Sequence, residues 1–222
     1  MARIAIANER PRRARPETRA VAAPAPARTP AYKLATDLVG AAVLLVVSAP
    51  AVLVAAILVK LTSRGPAIYA QARVGRGGRV FTMYKLRTMY LDSERETGPT
   101  WAAAADPRVT PVGRLLRRTH LDEFPQLWNV LRGDMSIVGP RPERPQFVAD
   151  LEQRLPYYAE RHVVKPGITG WAQINYPYGA SVEDAREKLE FDLYYAKNYT
   201  PFLDLLILLQ TARVVIWPEG AR

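Results

Sequence analysis

The chain contains no cysteine and only two histidines, His120 and His162, in 222 residues. The missing cysteines exclude a disulfide scaffold, a thiolate zinc site, a CxxC redox motif and a cysteine nucleophile. Two histidines far apart in sequence also exclude a multi-histidine metal site and the HExxH motif of metalloproteases. Any catalysis by this chain therefore has to use carboxylates, arginines and lysines.

Acidic residues are few relative to basic ones. The chain has 31 Lys and Arg against 21 Asp and Glu, a formal net charge of +10, and 25 of its basic residues are arginines. Because the guanidinium group binds phosphate in a bidentate manner, this excess suits phosphate ligands, anionic lipid or nucleic acid. High genomic GC content, which favours arginine codons, is the alternative explanation.

The first 30 residues have the composition of a disordered arm. They hold five prolines, seven arginines and only two acidic residues. Such a stretch has too little apolar surface to offset the entropy lost on ordering. Hydrophobic residues make up 49% of the whole chain, however, so the remainder can form a core.

A segment without charged residues follows, at positions 38–59. As a helix it would be about 33 Å long, close to the thickness of the hydrocarbon layer. Pro50 lies near its middle and predicts a kink. Basic residues flank both ends, whereas a straight span places only one end on the side that favours positive charge. The residues alone leave two topologies open, a transmembrane span and a hairpin that returns to the same face.

The remaining patterns predict short elements. Two strands are expected within residues 67–90, joined by a glycine-rich turn at 75–78 that is also open to interpretation as a phosphate loop. A polar loop at 92–110 precedes a short basic amphipathic helix at 111–119, suited to a headgroup layer or to a protein surface. Further predictions are a helix within 120–134 that stops at Gly133, a short strand that enters a proline-rich loop at 136–145, and helices at 143–161 and 181–198. A loop with strand character at its end is expected at 163–175, and an apolar helix at 201–217 either lies in the membrane interface or packs on the domain.

The adjacent carboxylates Asp122 and Glu123 follow the basic helix closely. One interpretation is a helix cap, because Thr119 and Asp122 have the spacing of a loose capping box. The other is a phosphoryl-transfer site, in which arginines bind phosphates, one carboxylate attacks phosphorus and another holds a divalent cation. Spacing alone favours the cap.

Two further motifs allow two interpretations each. Arg141 lies between Pro140 and Pro142, so it is either an arginine aimed by a rigid backbone or a solvated turn residue. Gly167 and Gly170 allow close approach of a ligand to the backbone. Trp171 next to them fits base stacking and core packing equally.

Three motifs together resemble one family. YKLRTM at 84–89, LDEFPQLWNVLRGDMSIVGPRP at 121–142 and KPGITGWAQIN at 165–175 are similar to the bacterial sugar transferases, the monotopic polyprenyl-phosphate phosphoglycosyl transferases. The resemblance covers residues 31–217, almost everything except the arm, and the chain looks like the small, single-domain members.

The resemblance implies an α+β fold that is mostly helical. A re-entrant N-terminal membrane helix, a small β-hairpin and interfacial amphipathic helices are expected around one catalytic domain. The implied division is an arm at 1–30, a membrane hairpin at 31–64 with its kink at Ser48 and Pro50, and a catalytic domain at 65–222 on the cytoplasmic face of the bacterial inner membrane. Where family members often have Ser-Pro at the kink, this chain has Ala49 before Pro50.

The resemblance also implies a reaction. A phosphosugar passes from a UDP-sugar to undecaprenyl phosphate, in the first membrane step of polysaccharide or glycoconjugate assembly, and the products are undecaprenyl-diphosphate-sugar and UMP. Asp122 matches the nucleophile that forms a covalent phosphosugar intermediate, and Glu123 matches the partner associated with Mg²⁺ and proton handling. The implied Mg²⁺ ligands are Asp122 and Glu123, and the implied substrate-binding residues are Lys85, Arg87, Arg117, Arg141 and Lys165.

Two other classes of protein fit part of the sequence. A membrane-anchored basic protein that binds nucleic acid or acidic partners fits the net charge, but no recognised nucleic-acid motif is present, and nucleic acid is not expected as a partner. A glycosyltransferase that moves only the sugar is disfavoured because the DxD triplet is absent. The expected partners are the UDP-sugar, undecaprenyl phosphate and inner-membrane lipid, with a homodimer left open.

Overall fold

The computed structural model describes residues 25–95, 98, 100–101, 106–177, 179 and 181–216. Most of the expected disordered arm, residues 1–24, lies outside the described residues. The last part of the arm is extended and held by the domain. Ala27 donates its N–H to the Val163 carbonyl at 2.8 Å, and Arg76 donates to the Thr29 hydroxyl at 2.7 Å. Ala27 and Thr29, which the expected arm includes, are therefore in contact with the rest of the described chain.

The described part of the chain is mostly helical, as expected, with one antiparallel hairpin and one short parallel strand pair. Its elements, in chain order, are α1 (Ala31–Thr62), β1 (Ile68–Val74), β2 (Val80–Leu86), α2 (Pro111–Arg118), α3 (Gln126–Leu131), β3 (Ser136–Val138), α4 (Pro145–Arg154), β4 (Gly167–Thr169), α5 (Trp171–Asn175), α6 (Val182–Asn198) and α7 (Pro201–Ile216).

Helix α1 contains the apolar segment and continues through Pro50. Of the helices that the structure describes, it alone is long and apolar enough to cross a membrane, with a mean hydropathy of 2.9. Ser48, the expected partner at the kink, donates its hydroxyl to the Leu45 carbonyl at 3.4 Å. That carbonyl lies one residue before the Val46 carbonyl that proline leaves without its usual donor. The predicted reversal of the chain at Pro50 stays a prediction.

One stripe of α1 packs on the rest of the domain along nearly the whole helix. Ala41 belongs to a core cluster with Met83 and Val130, and Val59 belongs to another with Leu86 and Leu116. The opposite face is apolar yet exposed, with Val46 at 75% and Val47 at 72% of their maximal accessibility. Helix α1 is apolar on all sides, but it packs on the domain along one side. Its exposed face therefore needs a second apolar environment.

The hairpin prediction at 67–90 is confirmed. Strands β1 and β2 pair from Ile68↔Leu86 to Val74↔Val80, and the turn between them contains Gly77 with φ at 66°. The turn contains one 3₁₀ turn at Arg76–Gly78 and leads into β2 rather than into an α-helix, so its geometry is that of a hairpin and not of a phosphate loop. The hairpin leads directly into residues 87 and 88, which lie against α2.

The predicted helix at 120–134 is shorter than expected. His120 adopts a left-handed conformation with φ at 55°, a single 3₁₀ turn covers Leu121–Glu123, and α3 begins only after Pro125. Gly133, with φ at 83°, ends this region as predicted. The expected strand at the end of the 163–175 loop is also wrong. Strand β4 lies in the middle of that loop, parallel to β3, and α5 forms its end.

Candidate active site

Asp122 and Glu123 lie on the short 3₁₀ turn between α2 and α3, which we call the catalytic turn (Leu121–Glu123). Leu121 packs against the cluster formed by Ala55 and Val59 of α1. The turn is thereby fixed to the C-terminal half of the apolar helix. The helix-cap alternative is wrong, because the Thr119 hydroxyl donates to the carbonyls of α2 and no side-chain cap forms at His120.

The Asp122 carboxylate is buried, with 6% of the residue exposed. Among the described residues, it makes no hydrogen bond. Burial, followed by the adjacent Glu123 charge, raises the pKa of Asp122 above its ordinary value, although Lys85, Arg141 and Arg117 oppose this shift. Its oxygens are not among the fully buried polar atoms that lack a partner, so they can still be reached, and a carboxylate left unpaired by the fold is open to a further ligand.

Glu123 is held by Arg141, whose two terminal nitrogens reach its two carboxylate oxygens, NH1 to Oε2 at 3.0 Å. Burial alone would raise the pKa of Glu123, but the Arg141 charge and hydrogen bonds lower it below the ordinary value. The Arg141 side chain is 43% exposed, so it can be approached from solvent. The proline-flanked arginine is therefore aimed at the acidic pair and is not a turn residue directed into solvent.

Lys85 reaches the same place from strand β2. Its amino group lies over the Tyr69 ring, 5.5 Å from the ring centroid. Burial, followed by the Arg73 charge, lowers the pKa of Lys85 to about 8, while Asp122 and Glu123 favour its charged form. A lysine with this pKa loses its charge slightly above neutral pH.

Arg117 completes the basic surroundings of Asp122. Thr110 caps α2 by accepting from the Gly113 N–H at 2.9 Å. Gly113 allows the helix to press against the Thr88 backbone, because a Cβ at this position would overlap the Thr88 carbonyl. Arg117 then donates its Nε to the Thr88 hydroxyl at 2.9 Å. Its two terminal nitrogens make no hydrogen bond to any residue that the structure describes.

Two residues of the expected substrate-binding set are not brought to the catalytic turn. Arg87 donates to the carbonyls of Ser63 at 3.0 Å and Pro66 at 2.7 Å, which fixes the chain after α1. Lys165 lies near Gly133, and the charges that act on its amino group come from Asp37, Arg76 and Asp134 rather than from Asp122. Phosphate binding by Arg87 and Lys165 thus stays an expectation from the resemblance alone.

The glycines of the 167–170 region serve the protein rather than a ligand. A Cβ at Gly167 would overlap the Gly139 backbone nitrogen, and one at Gly170 would overlap the Gly139 carbonyl oxygen. The glycines therefore allow the backbones on either side of the β3–β4 pair to touch. Trp171 stacks on Tyr194 with ring centroids 6.2 Å apart, which is the packing alternative of the sequence analysis.

Sequence reasoning missed Arg73, a positive charge close to Lys85. Arg73 lies on β1 and donates to the Pro142 carbonyl at 2.9 Å, immediately after Arg141. Burial lowers its pKa, although Glu143 opposes the shift. Alternation along β1 could have placed Tyr69, Gln71 and Arg73 on one face, but no local signal connects that face to the proline-rich loop.

The catalytic turn offers a divalent cation two carboxylates, those of Asp122 and Glu123. Within the described residues, no three Asp, Glu, His or Cys side chains converge on one point. Mg²⁺ usually takes only one or two protein carboxylates together with water and substrate phosphate oxygens. The unpaired Asp122 carboxylate, with Glu123 beside it, fits a Mg²⁺ ion that binds together with a diphosphate.

The fold therefore places a buried carboxylate among cations, on a turn that packs against a long apolar helix. The sequence profile described as bacterial sugar transferase matches residues 28–218. The chain therefore belongs to the bacterial sugar transferase family.

Curated relatives carry related names. The chain is 44% identical to the UDP-N-acetylgalactosamine-undecaprenyl-phosphate N-acetylgalactosaminephosphotransferase of Aeromonas hydrophila, over 86% of this chain and 45% of that protein. It is also 44% identical to the UDP-glucose:undecaprenyl-phosphate glucose-1-phosphate transferase of Caulobacter vibrioides, over 85% and 71%. A third relative, the Escherichia coli K12 protein of the same name, is 44% identical over 81% and 39%.

The chain spans less than half the length of the Aeromonas and Escherichia proteins. Identity is 44% to relatives named for N-acetylgalactosamine and for glucose. Overall similarity therefore does not select one sugar over the other.

Proposed function

We propose that this chain transfers a phosphosugar from a UDP-sugar to undecaprenyl phosphate, with release of UMP. The observation that carries the proposal is the buried, unpaired Asp122 carboxylate among Lys85, Arg117 and Arg141. The names of the relatives supply the two substrates. The sugar is left to experiment.

The reaction takes place in two steps at the same carboxylate. An Asp122 oxygen attacks the β-phosphorus of the donor, an oxygen–phosphorus bond forms, and the bond from that phosphorus to the bridging oxygen breaks to release UMP. A phosphate oxygen of undecaprenyl phosphate then attacks the same phosphorus. The Asp122–phosphorus bond breaks, and the carboxylate is regenerated as the pyrophosphate product leaves.

The basic residues bind the phosphates in this scheme. The free terminal nitrogens of Arg117 and the Lys85 ammonium offset the charge of the donor. Arg141 can turn from Glu123 to a phosphate oxygen, because its side chain is exposed on that side. Mg²⁺, held by Asp122 and Glu123 together with the diphosphate, would supply further positive charge at the transferred phosphorus.

The way in which α1 is held supports a re-entrant topology. Its N-terminal half is tied to the domain by Lys33, which donates to Asp204 at 2.8 Å, and by Asp37, which accepts from Ser136 at 2.8 Å. Its C-terminal half packs on Leu86 and Leu116. A helix attached to one extramembrane domain at both ends cannot place those ends on opposite faces of a bilayer. We infer that α1 enters and leaves on the cytoplasmic face, where its basic flanks belong.

Donor-only incubation tests the chemistry. The purified protein, Mg²⁺ and UDP-glucose or UDP-N-acetylgalactosamine, without lipid acceptor, should give a protein heavier by one phosphosugar, together with UMP. Asp122→Asn should show neither product. Release of UDP in place of UMP would indicate transfer of the sugar alone and would overturn the proposal.

Thiol labelling tests the topology. Single cysteines in place of Ala31 and Arg64, both exposed, should be protected from an impermeant thiol reagent in sealed right-side-out vesicles and should react after lysis. Arg64 is chosen over Gly65, whose φ of 111° does not suit a side chain. Labelling of position 31 in sealed vesicles would mean a true span.

A further inference from the structure

The loop around Arg141 is held by four consecutive carbonyl groups. The Pro140 carbonyl accepts from the Gly167 N–H at 2.9 Å, and the Glu143 carbonyl accepts from the Val74 N–H at 2.9 Å. The two carbonyls between them accept from side chains, Pro142 from Arg73 at 2.9 Å and Arg141 from Arg161 at 2.8 Å. Among the described residues, the Arg161 guanidinium is the one donor to the Arg141 carbonyl.

Arg161 is itself fixed by a buried ion pair. It is 5% exposed, and its Nε and NH2 donate to one carboxylate oxygen of Asp192 at 2.9 and 2.6 Å. Asp192 is 3% exposed and lies on α6. The remaining terminal nitrogen, NH1, donates to the Tyr158 hydroxyl at 3.2 Å. All three nitrogens of the guanidinium therefore have partners, and NH2 is shared between Asp192 and Arg141.

Replacing such a pair by apolar residues is often neutral or stabilising, so fold stability alone does not account for it. We propose that Asp192 and Arg161 are positioning residues for Arg141 in the transfer reaction, a role that rests on the proposed function. The pair fixes the carbonyl of Arg141, and the flanking prolines restrict the backbone on either side. The guanidinium is thereby kept within reach of Glu123 and of the donor diphosphate. A displacement of about 1 Å in such a group can lower a rate by up to about 100-fold.

Arg161→Lys tests the proposal, because lysine retains the charge but cannot contact Asp192 and the Arg141 carbonyl together. We expect kcat/KM for the UDP-sugar to fall about tenfold or more, and calorimetric binding of UDP-glucose or UDP-N-acetylgalactosamine with Mg²⁺ to weaken by a similar factor in an Asp122→Asn background. Tyr158→Phe is the matched control. It removes a hydrogen bond from the same guanidinium but leaves both Asp192 and Arg141 in place, so kcat/KM should stay within about twofold.

A double-mutant cycle separates positioning from general destabilisation. If Arg161 acts through Arg141, then Arg161→Lys should have no further effect on kcat/KM once Arg141 is changed to Ala. The inference would be overturned if Arg161→Lys lowered kcat/KM by the same factor with and without Arg141→Ala. It would also be overturned if Tyr158→Phe lowered kcat/KM as much as Arg161→Lys.

If Arg161→Lys does not fold, Arg161→Gln with Asp192→Asn removes both charges without leaving either unpaired. The same two measurements then apply, with the same expected loss, and unchanged donor binding and kcat/KM would overturn the inference. If the unaltered protein binds no UDP-sugar and releases no UMP, the proposed function fails instead. Normal turnover that is insensitive to Arg161 would refute the positioning role alone.

Discussion

Two groups of buried charged residues use their carboxylates in opposite ways. Near the N-terminus of α1, Asp204 accepts a hydrogen bond from Lys33 at 2.8 Å on one carboxylate oxygen and from the Tyr195 hydroxyl at 2.7 Å on the other. At the catalytic turn, Asp122 accepts no hydrogen bond from any described residue, although cations surround it. Both carboxylates are buried, with 8% and 6% of the residues exposed.

The difference separates a structural carboxylate from a reactive one. Buried polar groups that stabilise a fold are almost always paired. A carboxylate that has hydrogen-bond donors on both oxygens is a poor nucleophile, whereas one that is near cations but unpaired can attack phosphorus. Substitutions at the two carboxylates and at the cations near Asp122 should therefore affect transfer and stability differently.

The largest effect is expected from Asp122→Asn. UMP release should fall by more than about 1000-fold, because an amide does not replace a carboxylate nucleophile at phosphorus. The melting temperature should equal or exceed that of the unaltered protein, since burial raises the pKa of Asp122 and so disfavours its charged form in the fold. Kinetics and thermal unfolding in detergent check the two parts, and a strongly lowered melting temperature would assign Asp122 a structural role.

Arg117→Lys should have the next largest effect on transfer. Arg117 is held at Nε by Thr88, and its two terminal nitrogens form a planar fork that lysine cannot reproduce. We expect kcat/KM for the UDP-sugar to fall about 10- to 100-fold with little change in melting temperature. Arg154→Lys is a suitable control, because Arg154 forms only an exposed pair with Asp150. Near-normal kinetics in Arg117→Lys would remove this residue from the phosphate site.

Asp204→Asn should produce the opposite pattern. The change leaves the buried Lys33 charge without its partner, and loss of one member of a buried pair destabilises a fold by about 3–5 kcal/mol. The melting temperature should therefore fall by roughly 6–20 °C for a chain of this size. Transfer per folded molecule should stay within about twofold below the transition. If turnover disappears while the melting temperature is unchanged, the distinction between the two groups fails.

Local sequence patterns predicted the helices and strands whose backbone conformation is set by neighbouring residues in the sequence. The glycine-rich turn and the alternation around it gave the hairpin, and Pro111 and Pro201 each begin a helix as their fixed φ allows. The failures occur where tertiary contacts decide the backbone. The left-handed conformation of His120 and the position of Pro125 divide a region whose periodicity predicted one helix.

The sequence indicated the acidic pair at the centre of the candidate site, but not the residues that hold the loop around Arg141. Acidic residues close to arginines allowed a phosphoryl-transfer site as one of two interpretations, and the motif at 121–142 pointed to the family. The contacts between Arg161 and the Arg141 carbonyl, and between Arg73 and the Pro142 carbonyl, join segments 20 and 69 residues apart. No periodicity in the amino-acid sequence indicates such contacts. For the same reason, sequence reasoning could not foresee that the charges of Asp37 and Asp134 act on the Lys165 amino group.

The smallest expected effect is a change in the pH profile, and it concerns Lys85. Burial, together with the charges of Arg73 and Arg117, lowers the pKa of Lys85 to about 8, whereas Asp122 and Glu123 oppose the shift. The ammonium form is present below this pKa and is lost above it. Since kcat/KM reports the free enzyme, kcat/KM for the UDP-sugar should decline above a pH of about 8.

The corresponding limb of kcat should lie at higher pH, because the bound diphosphate favours the charged form of Lys85. Lys85→Arg provides the decisive comparison, since arginine keeps its charge throughout this range. Its kcat/KM should lack the decline near pH 8, even if its plateau is lower. Steady-state UMP release between pH 6 and 10 at constant ionic strength measures both limbs. A decline that persists unchanged in Lys85→Arg would show that another group titrates, and Lys85 would then lose its place among the cations that distinguish Asp122 from Asp204.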